Sequence, residues 1–403
     1  MRSLCFLICL LCQFAAGGAS AQSASTPWPA RQADIPTTDG AIYLGNLDDR
    51  IAALDGAFAR SPRAALKVAK AGALYHRYRI SGRVEDAEAA QALLDTVLAQ
   101  EPGDVEALML RATVLSGFHR FKDAQSDLLT AEAAGAKSTA LAESRREIAL
   151  ATGRYPELRA DFEHSTDPNA SFYELAFRGN LRLQQGHLDG ASQQFRRAQA
   201  LFTDSSPMPL AWLHVQQGIA YLRSHRYEEA AVFFRAAHER LPGFTLATEH
   251  LAETENCLGH YAVSRKLYLE AIADTGSPEF MAALATVEKA DGHAGRATKL
   301  QAQAGLGWQQ WLERHPAAFA QHAIPWFLDR GDVAMALKLA EQNIGLRQDV
   351  GSYILLARAE HAAGADVLAC DARAAALATG LRPPELSELE VFAGACTAPM
   401  ASR

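Results

Sequence analysis

A short pattern of turn and small residues recurs along the chain and limits the kind of fold it can adopt. Each copy reads roughly as Gly, any residue, an aromatic or aliphatic residue, two more residues and Ala, as in GRVEDA at 82–87 and GHLDGA at 186–191. The last residues of the nine copies are Ala87, Ala124, Leu158, Ala191, Ala230, Ser264, Ala297, Ala336 and Ala369. They are separated by 37, 34, 33, 39, 34, 33, 39 and 33 residues. Self-similarity at such a period predicts a repeat architecture.

The copy HRYEEAAVFFRAAHERLPG at 225–243 shows what one unit contains. Ala230, Phe234 and Ala237 are spaced by four and three residues, so they share one face of a helix. The small residues allow a second helix to approach closely, and Pro242 ends the helix because it has no N–H to donate. Gly218, twelve residues before Ala230, is the expected contact point on that second helix. The unit is therefore predicted to be an antiparallel pair of helices.

This unit resembles the tetratricopeptide repeat, a helix–turn–helix unit of 34 residues. Its small, Tyr, Ala, Phe and Pro positions are occupied here by Gly218, Tyr221, Ala230, Phe234 and Pro242. Its Trp and Leu positions hold His214 and Gln217 instead. The resemblance covers about residues 63–380. It implies an all-α fold, a right-handed superhelical solenoid of about nine repeats with a capping helix at each end.

The resemblance also sets the expected organisation of the 403 residues, of which 49% are hydrophobic. The predicted segments are a signal peptide at 1–21, a flexible linker at 22–46, an N-terminal capping helix at 47–62, the solenoid at 63–381, and a C-terminal capping helix and tail at 382–403. The two separations of 39 residues mark insertions, one at TDSSPMP (203–209) and one within GLGWQQWLERHPAAF (305–319). Pro325 is expected to kink or restart the helix that contains it.

The N-terminus predicts export. Arg2 precedes an apolar run from Leu4 to about Ala16, and Ala19-Ser20-Ala21 follows as a small-residue cleavage site. The run is shorter than the roughly 20 residues that a membrane-spanning helix needs. A lipoprotein with acylated Cys12 is disfavoured because Leu11 is not small. We expect a mature chain in the periplasm or outside the cell, with no membrane span after cleavage near Ala21.

Three cysteines remain after cleavage, at Cys257, Cys370 and Cys396. An exported chain can form disulfides. Cys370 lies early in the last repeat's second helix, and Cys396 ends the helical stretch that follows. Two antiparallel helices would bring these positions together, so we predict a Cys370–Cys396 bridge. Two buried thiols are the alternative, and Cys257 is expected to be a small core residue.

Motifs for catalysis, metal binding and cofactor binding are absent from the sequence. It has no Gly-x-Ser-x-Gly elbow, no P-loop and no zinc-protease pair of histidines. His187, His260 and His293 recur at one turn position and are read as solvated turn residues. The net charge of −7 is spread out, without a Lys/Arg block for nucleic acid. We therefore expect no catalytic residue, no metal and no cofactor, although an enzyme with an unrecognised site stays an alternative.

In the repeat family the first helix of each pair lines a concave groove that binds a protein partner. Transferred position by position, the resemblance predicts a groove of Glu143, Glu147, Tyr173, Asn180, Trp212, Val215, Glu249, Glu253 and Asn256. Acidic and aromatic side chains together suit a partner segment with basic and apolar residues. The expected function is a non-catalytic scaffold in a cell-envelope assembly for secretion, polysaccharide export or envelope biogenesis. The oligomeric state does not follow from the sequence.

A second candidate surface is aromatic and contains Trp308, Trp311 and Trp326. Aromatic clusters usually fill a core, and these residues fall at the irregular junction of the seventh and eighth repeats. If they are exposed, they could stack on a sugar. The alternative function is therefore a glycan- or peptidoglycan-associated binding module.

Overall fold

The computed structural model describes residues 35–158, 170–394 and 396, and regular structure within them is helical throughout. The first nine α-helices are α1 Gly40–Arg60, α2 Ala64–Ser81, α3 Val84–Gln100, α4 Val105–Gly117, α5 Phe121–Ala133, α6 Ser138–Ala151, α7 Phe172–Gln184, α8 Leu188–Ala200 and α9 Pro207–Leu222. The rest are α10 Tyr227–Arg240, α11 Thr245–Cys257, α12 Tyr261–Thr275, α13 Pro278–Ala290, α14 Ala294–Arg314, α15 Pro316–Asp329, α16 Val333–Leu346, α17 Val350–Ala362 and α18 Asp366–Ala378. Short 3-10 helices occupy Tyr155–Leu158 and Pro384–Phe392. None of these described helices combines the length and apolar character that a bilayer crossing needs.

The helices pack as consecutive antiparallel pairs, which confirms the predicted all-α solenoid. The pairs are α2/α3, α4/α5, α6 with the first 3-10 helix, α7/α8, α9/α10, α11/α12, α13/α14, α15/α16 and α17/α18. The nine marker residues of the sequence pattern, eight small residues and Leu158, each lie in the second member of a pair. All nine are buried, and at most 8% of any of them is exposed. The sequence pattern therefore recurs once per helix pair, at the point where the two helices pack.

Within a pair, glycine on the first helix makes room for phenylalanine on the second. A Cβ atom added to Gly218 would lie 2.5 Å from a ring carbon of Phe234. A Cβ atom added to Gly179 would lie 2.3 Å from the ring of Phe195. Both phenylalanines are 0% exposed. The alternation of small and aromatic residues in the sequence thus reflects direct interdigitation between the two helices.

The N-terminal cap is longer than predicted. Helix α1 begins at Gly40 because the Asp39 carboxylate accepts hydrogen bonds from the backbone N–H groups of Ala41 and Ile42. The segment before it is also held: Arg240 donates to the carbonyl oxygen of Ile35 at 3.2 Å. The prediction of a flexible linker is therefore wrong for residues 35–46, and the cap does not start at 47. The predicted signal peptide (1–21) and the rest of the linker lie outside the described residues.

The two insertions take different forms. The first is a loop between α8 and α9, as expected, and Pro207 starts α9. The second is absorbed by α14, which runs for 21 residues. Pro325 lies inside α15, which continues from Pro316 to Asp329, so the predicted restart does not occur.

The coil returns onto itself, so that turns of the early pairs contact loops that follow much later. We call this set of contacts the seam. Its hydrogen bonds join Thr245 to Ser81, His119 to Ala317, Gln348 to Thr152, and Arg382 to Gln184, with donor–acceptor distances of 2.5–3.1 Å. Each links positions five to six helix pairs apart. The seam also contains charged contacts, since Glu88 accepts from Arg314 at 2.5 Å and lies 2.7 Å from Nε2 of His315.

The C-terminal segment closes the last pair and joins the seam. Leu389 and Phe392 of its 3-10 helix are buried against α17 and α18. The side chain of Glu385 forms an ion pair with Arg223 at 2.9 Å, and both side chains are less than 10% exposed. A disulfide bond joins Cys370 to Cys396, whose Cα atoms are 5.4 Å apart. Cys257 is half-buried and lies outside this disulfide bond.

Candidate functional site

The first helices of the middle pairs lie inside the molecule, while their second helices lie outside. In α9, fourteen of sixteen residues are buried, and in α11 ten of thirteen. Their partners α10 and α12 bury only five of fourteen and four of fifteen residues. A helix that buries one stripe packs on a single layer, whereas α9 and α11 are covered on nearly all sides. We call the faces of α7, α9 and α11 that lie opposite their second helices the inner surface.

Much of this interior is polar, unlike an ordinary protein core. Its buried polar residues on α7, α9 and α11 include Arg178, Asn180, Gln184, His214, Gln216, Gln217, Thr248, Glu249, His250 and Glu253. Burial of such groups is costly unless they find partners. Some partners are local: Gln217 donates to Ser192 Oγ at 2.5 Å, and Arg178 pairs with Glu174 at 3.0 Å.

The predicted groove residues divide into two sets. Trp212, Val215, Glu249, Glu253 and Asn180 belong to the interior and are 6%, 0%, 4%, 7% and 9% exposed. Asn256 is half-buried near the end of α11. Glu143 and Glu147 on α6 are exposed, and so is Tyr173 at the start of α7, at 69%. The structure therefore places them on consecutive first helices, but does not present them as one exposed stripe.

Electrostatics in this interior favour the neutral form of His214. Burial lowers the pKa of His214 to about 3, and the nearby charge of Arg240 acts in the same direction. His214 is therefore an uncharged hydrogen-bonding group at neutral pH. On α11, Nδ1 of His250 lies 3.2 Å from carboxylate oxygens of both Glu249 and Glu253.

Sequence reasoning missed several of these interior residues. His214 and Gln217 stand where the repeat pattern has Trp and Leu, and that departure was the available signal. His250 lies next to Glu249 at a position that the repeat pattern does not single out. His322 and Glu279 come from later helices, and nothing in their spacing links them to α11.

The three tryptophans of the predicted aromatic surface also differ in their burial and contacts. Trp308 is 1% exposed and belongs to the core. Trp311 is half-buried and packs against Phe319, with ring centres 4.4 Å apart. Trp326 donates through its indole N–H to Gln301 at 3.2 Å. It also lines a cleft of about 490 Å³ together with Phe327, Leu312, Glu313 and Lys338.

Comparisons with known proteins give structural similarities only. No protein-family model matches the chain, and no curated protein matches it. The TPR domain of P58(IPK) superposes with a TM-score of 0.30 at 12% identity, over 89% of this chain and 96% of that domain. The Cut9–Hcn1 tetramer of APC/C gives 0.46 at 13% identity, over 83% of this chain and 63% of the other.

A third similarity is to PilW, a type IV pilus biogenesis factor, with a TM-score of 0.30 at 16% identity, over 63% of this chain and 94% of PilW. The chain thus spans less than two thirds of the matched Cut9–Hcn1 chain. None of these similarities transfers a function to this chain. The repeat architecture is established by its own helix pairs and buried marker residues.

Proposed function

For a chain built as a tetratricopeptide-like solenoid, we propose the role of a non-catalytic scaffold that binds a protein partner through the inner surface. The observation that carries this proposal is the polar interior of α7, α9 and α11. A solenoid needs apolar contacts between neighbouring pairs, but it does not need buried carboxyl and amide groups such as those of Glu249, Glu253 and Asn180 on its first helices. Acidic groups next to an aromatic side chain suit a partner segment with basic and apolar residues.

We further propose that the scaffold is exported and serves a cell-envelope assembly. The N-terminal Arg2, the apolar run and the Ala-Ser-Ala site support export. The Cys370–Cys396 disulfide supports it independently, because such bonds persist mainly in oxidising compartments. Cell fractionation with a C-terminal tag tests this. Recovery of the processed chain outside the cytoplasm supports export, and an unprocessed cytoplasmic chain contradicts it.

Site-specific photo-crosslinking tests the partner-binding role. A benzophenone amino acid at Tyr173, an exposed position on first helix α7, would cross-link a bound partner. The matched control is Leu269, which is 52% exposed on second helix α12. We expect a discrete cross-linked product from position 173 that is weak or absent at 269, and that is lost on adding Glu249→Lys. Equal products at both positions, or no product at either, would contradict the proposal.

The cleft beside Trp326 supports glycan binding as a second candidate function. Its wall combines an indole face with Glu313, Lys338 and Gln309, a mixture that suits a sugar ring and its hydroxyls. Titration with cell-wall fragments should change tryptophan fluorescence, and Trp326→Ala should remove the change. A titration without any fluorescence change would count against this function.

A further inference from the structure

A compact acid–histidine cluster lies on the buried side of α11. Glu249, His250 and Glu253 each place one potential ligand atom within 4.8 Å of the others. The imidazole Nδ1 of His250 is central, at 3.2 Å from a carboxylate oxygen on either side. The three residues are only 4%, 1% and 7% exposed. Glu249 and His250 lie four and three residues before Glu253, which places each of them one helical turn from it.

These separations match those of metal ligands. Two ligand atoms bound to a tetrahedral ion at about 2.1 Å lie about 3.4 Å apart. Imidazole nitrogen with carboxylate oxygen is a donor set that Zn²⁺ and related divalent ions accept. Two carboxylates buried side by side also repel each other, which raises the free energy of the folded state. A divalent cation between them would offset that repulsion.

Two neighbouring first helices bring further donors to the same region. Glu279 of α13 lies 3.5 Å from Nδ1 of His322 on α15. Burial raises the pKa of Glu279, His322 opposes that shift, and the charge of Glu253 raises the pKa further. Glu253 and His250 are thus close enough to affect Glu279 electrostatically. Glu279 and His322 thus form a second acid–histidine pair, on α13 and α15, in the neighbourhood of α11.

The His250 ring is held in place by the repeat architecture itself. It stacks on Phe234 of α10, with ring centres 5.2 Å apart and planes inclined by 24°. Phe234 is in turn fixed against Gly218, whose lack of a side chain admits the ring. An imidazole held rigidly binds a metal at lower entropic cost than a mobile one.

We propose that Glu249, His250 and Glu253 form a binding site for a divalent transition-metal ion of the zinc type, with Glu279 and His322 at its border. Three protein ligands leave one tetrahedral position for Glu279, His322 or water. The competing explanation is a metal-free network in which the His250 Nδ1–H donates to a neighbouring carboxylate.

Metal titration of the full chain distinguishes the two explanations. The purified chain is stripped with EDTA, dialysed, and titrated with Co²⁺ as a spectroscopic probe and with Zn²⁺ by calorimetry. We expect one ion per chain, visible d–d bands for Co²⁺, and displacement of Co²⁺ by Zn²⁺. Binding should weaken as the pH falls, because His250 must be deprotonated to bind. Absence of stoichiometric binding by the unaltered chain would overturn the proposal.

Variants locate the site. Glu253→Gln keeps the size and the hydrogen-bonding capacity of the side chain but removes its charge. It should weaken Zn²⁺ binding by at least about tenfold, since changes even in outer-shell partners typically cost 10–100-fold. His250→Ala should abolish the Co²⁺ bands. The control is His361→Ala, at a half-buried histidine of α17 that lies 2.8 Å from Asp366. Unchanged affinity in Glu253→Gln, or an equal loss in the control, would overturn the assignment.

Discussion

The turns of the early helix pairs and those of the late pairs share a sequence pattern but differ in what they contact. Gly153 and Gly186 have positive φ angles of 77°, and Gly259 and Gly292 have almost the same values, 78° and 79°. A Cβ atom on Gly153 or Gly186 would lie 2.2 or 2.4 Å from a carbonyl oxygen of the seam. At Gly259 and Gly292 it would meet nothing within 4 Å. The early turns at Gly153 and Gly186 therefore also contact the seam, whereas nothing packs against the late turn glycines Gly259 and Gly292.

The molecule is therefore held together by two kinds of contact. Contacts within a pair are local and include apolar interdigitation, as between Gly218 and Phe234. Contacts across the seam are polar and join residues that are far apart in the sequence, as between Glu385 and Arg223. Contacts within a pair recur along the chain. Contacts across the seam form only if the superhelix brings pairs that are five to six apart next to each other.

Removal of the buried seam charge should have the largest effect. Glu385→Ala would leave Arg223 buried without its carboxylate partner, and breaking a buried ion pair typically costs about 3–5 kcal/mol. The matched control is Glu390→Ala, because Glu390 pairs with Arg373 at 3.0 Å but is 65% exposed. The control should cost less than about 1 kcal/mol. Urea denaturation followed by circular dichroism measures both, and equal losses would show that the buried seam pair stabilises the fold no more than an exposed pair does.

Loss of the disulfide should come next. Cys370→Ser opens a loop with a sequence separation of 26 residues. The chain-entropy relation then predicts a loss of roughly 3–4 kcal/mol in the free energy of unfolding. Cys257→Ser, at the cysteine outside the disulfide, serves as the control and should change stability much less. If reduction of the wild-type chain left its urea midpoint unchanged, the C-terminal segment would not depend on this bond.

A pair of glycine substitutions tests the comparison most directly. Gly186→Ala and Gly292→Ala both place a Cβ atom at positive φ, which costs roughly 1–2 kcal/mol in either turn. Only Gly186→Ala also forces a Cβ atom against the Arg382 carbonyl oxygen, so it should lose about 1–3 kcal/mol more through overpacking. Equal losses in the two variants would mean that the early turns do not support the seam.

The smallest effect is expected at the exposed edge of the seam. Glu88→Gln removes the charge facing Arg314 and His315, but Glu88 and Arg314 are 31% and 42% exposed. Exposed pairs contribute about 0.2–1 kcal/mol and are screened by salt. The difference between variant and wild type should shrink when denaturation is repeated at high salt. A salt-independent difference would indicate packing instead of charge.

The helix pairs could be predicted from the sequence because their contacts repeat. Small residues such as Ala191 and Ala230 recur at the packing period, so the fold class and the pairing were predicted and are confirmed. The seam could not be predicted, because its contacts join residues roughly five to six pairs apart and leave no periodic trace. Turn glycines are already explained by their φ angles, so the close approach at Gly153 and Gly186 adds no further signal.

The candidate site was predictable only in part. Trp212, Glu249 and Glu253 were found because they occupy groove positions of the repeat. Their role in partner binding stays a prediction. His250 was missed because the repeat pattern does not single out its position. His322 was missed because it lies on α15 in another repeat, and the way separate repeats approach each other depends on the superhelical pitch. Residue type at a single position carries no information about that pitch.

The seam also affects how the chain is expected to unfold. Repeat proteins whose units contact only their neighbours unfold as a one-dimensional array, and their ends can fray while the middle stays folded. In this protein the Thr152–Gln348 and Gln184–Arg382 hydrogen bonds tie the third and fourth pairs to the chain around and beyond the ninth. Fraying from the C-terminus would therefore cost contacts in the middle of the chain. Such long-range contacts favour a single cooperative unfolding transition over stepwise unfolding from one end.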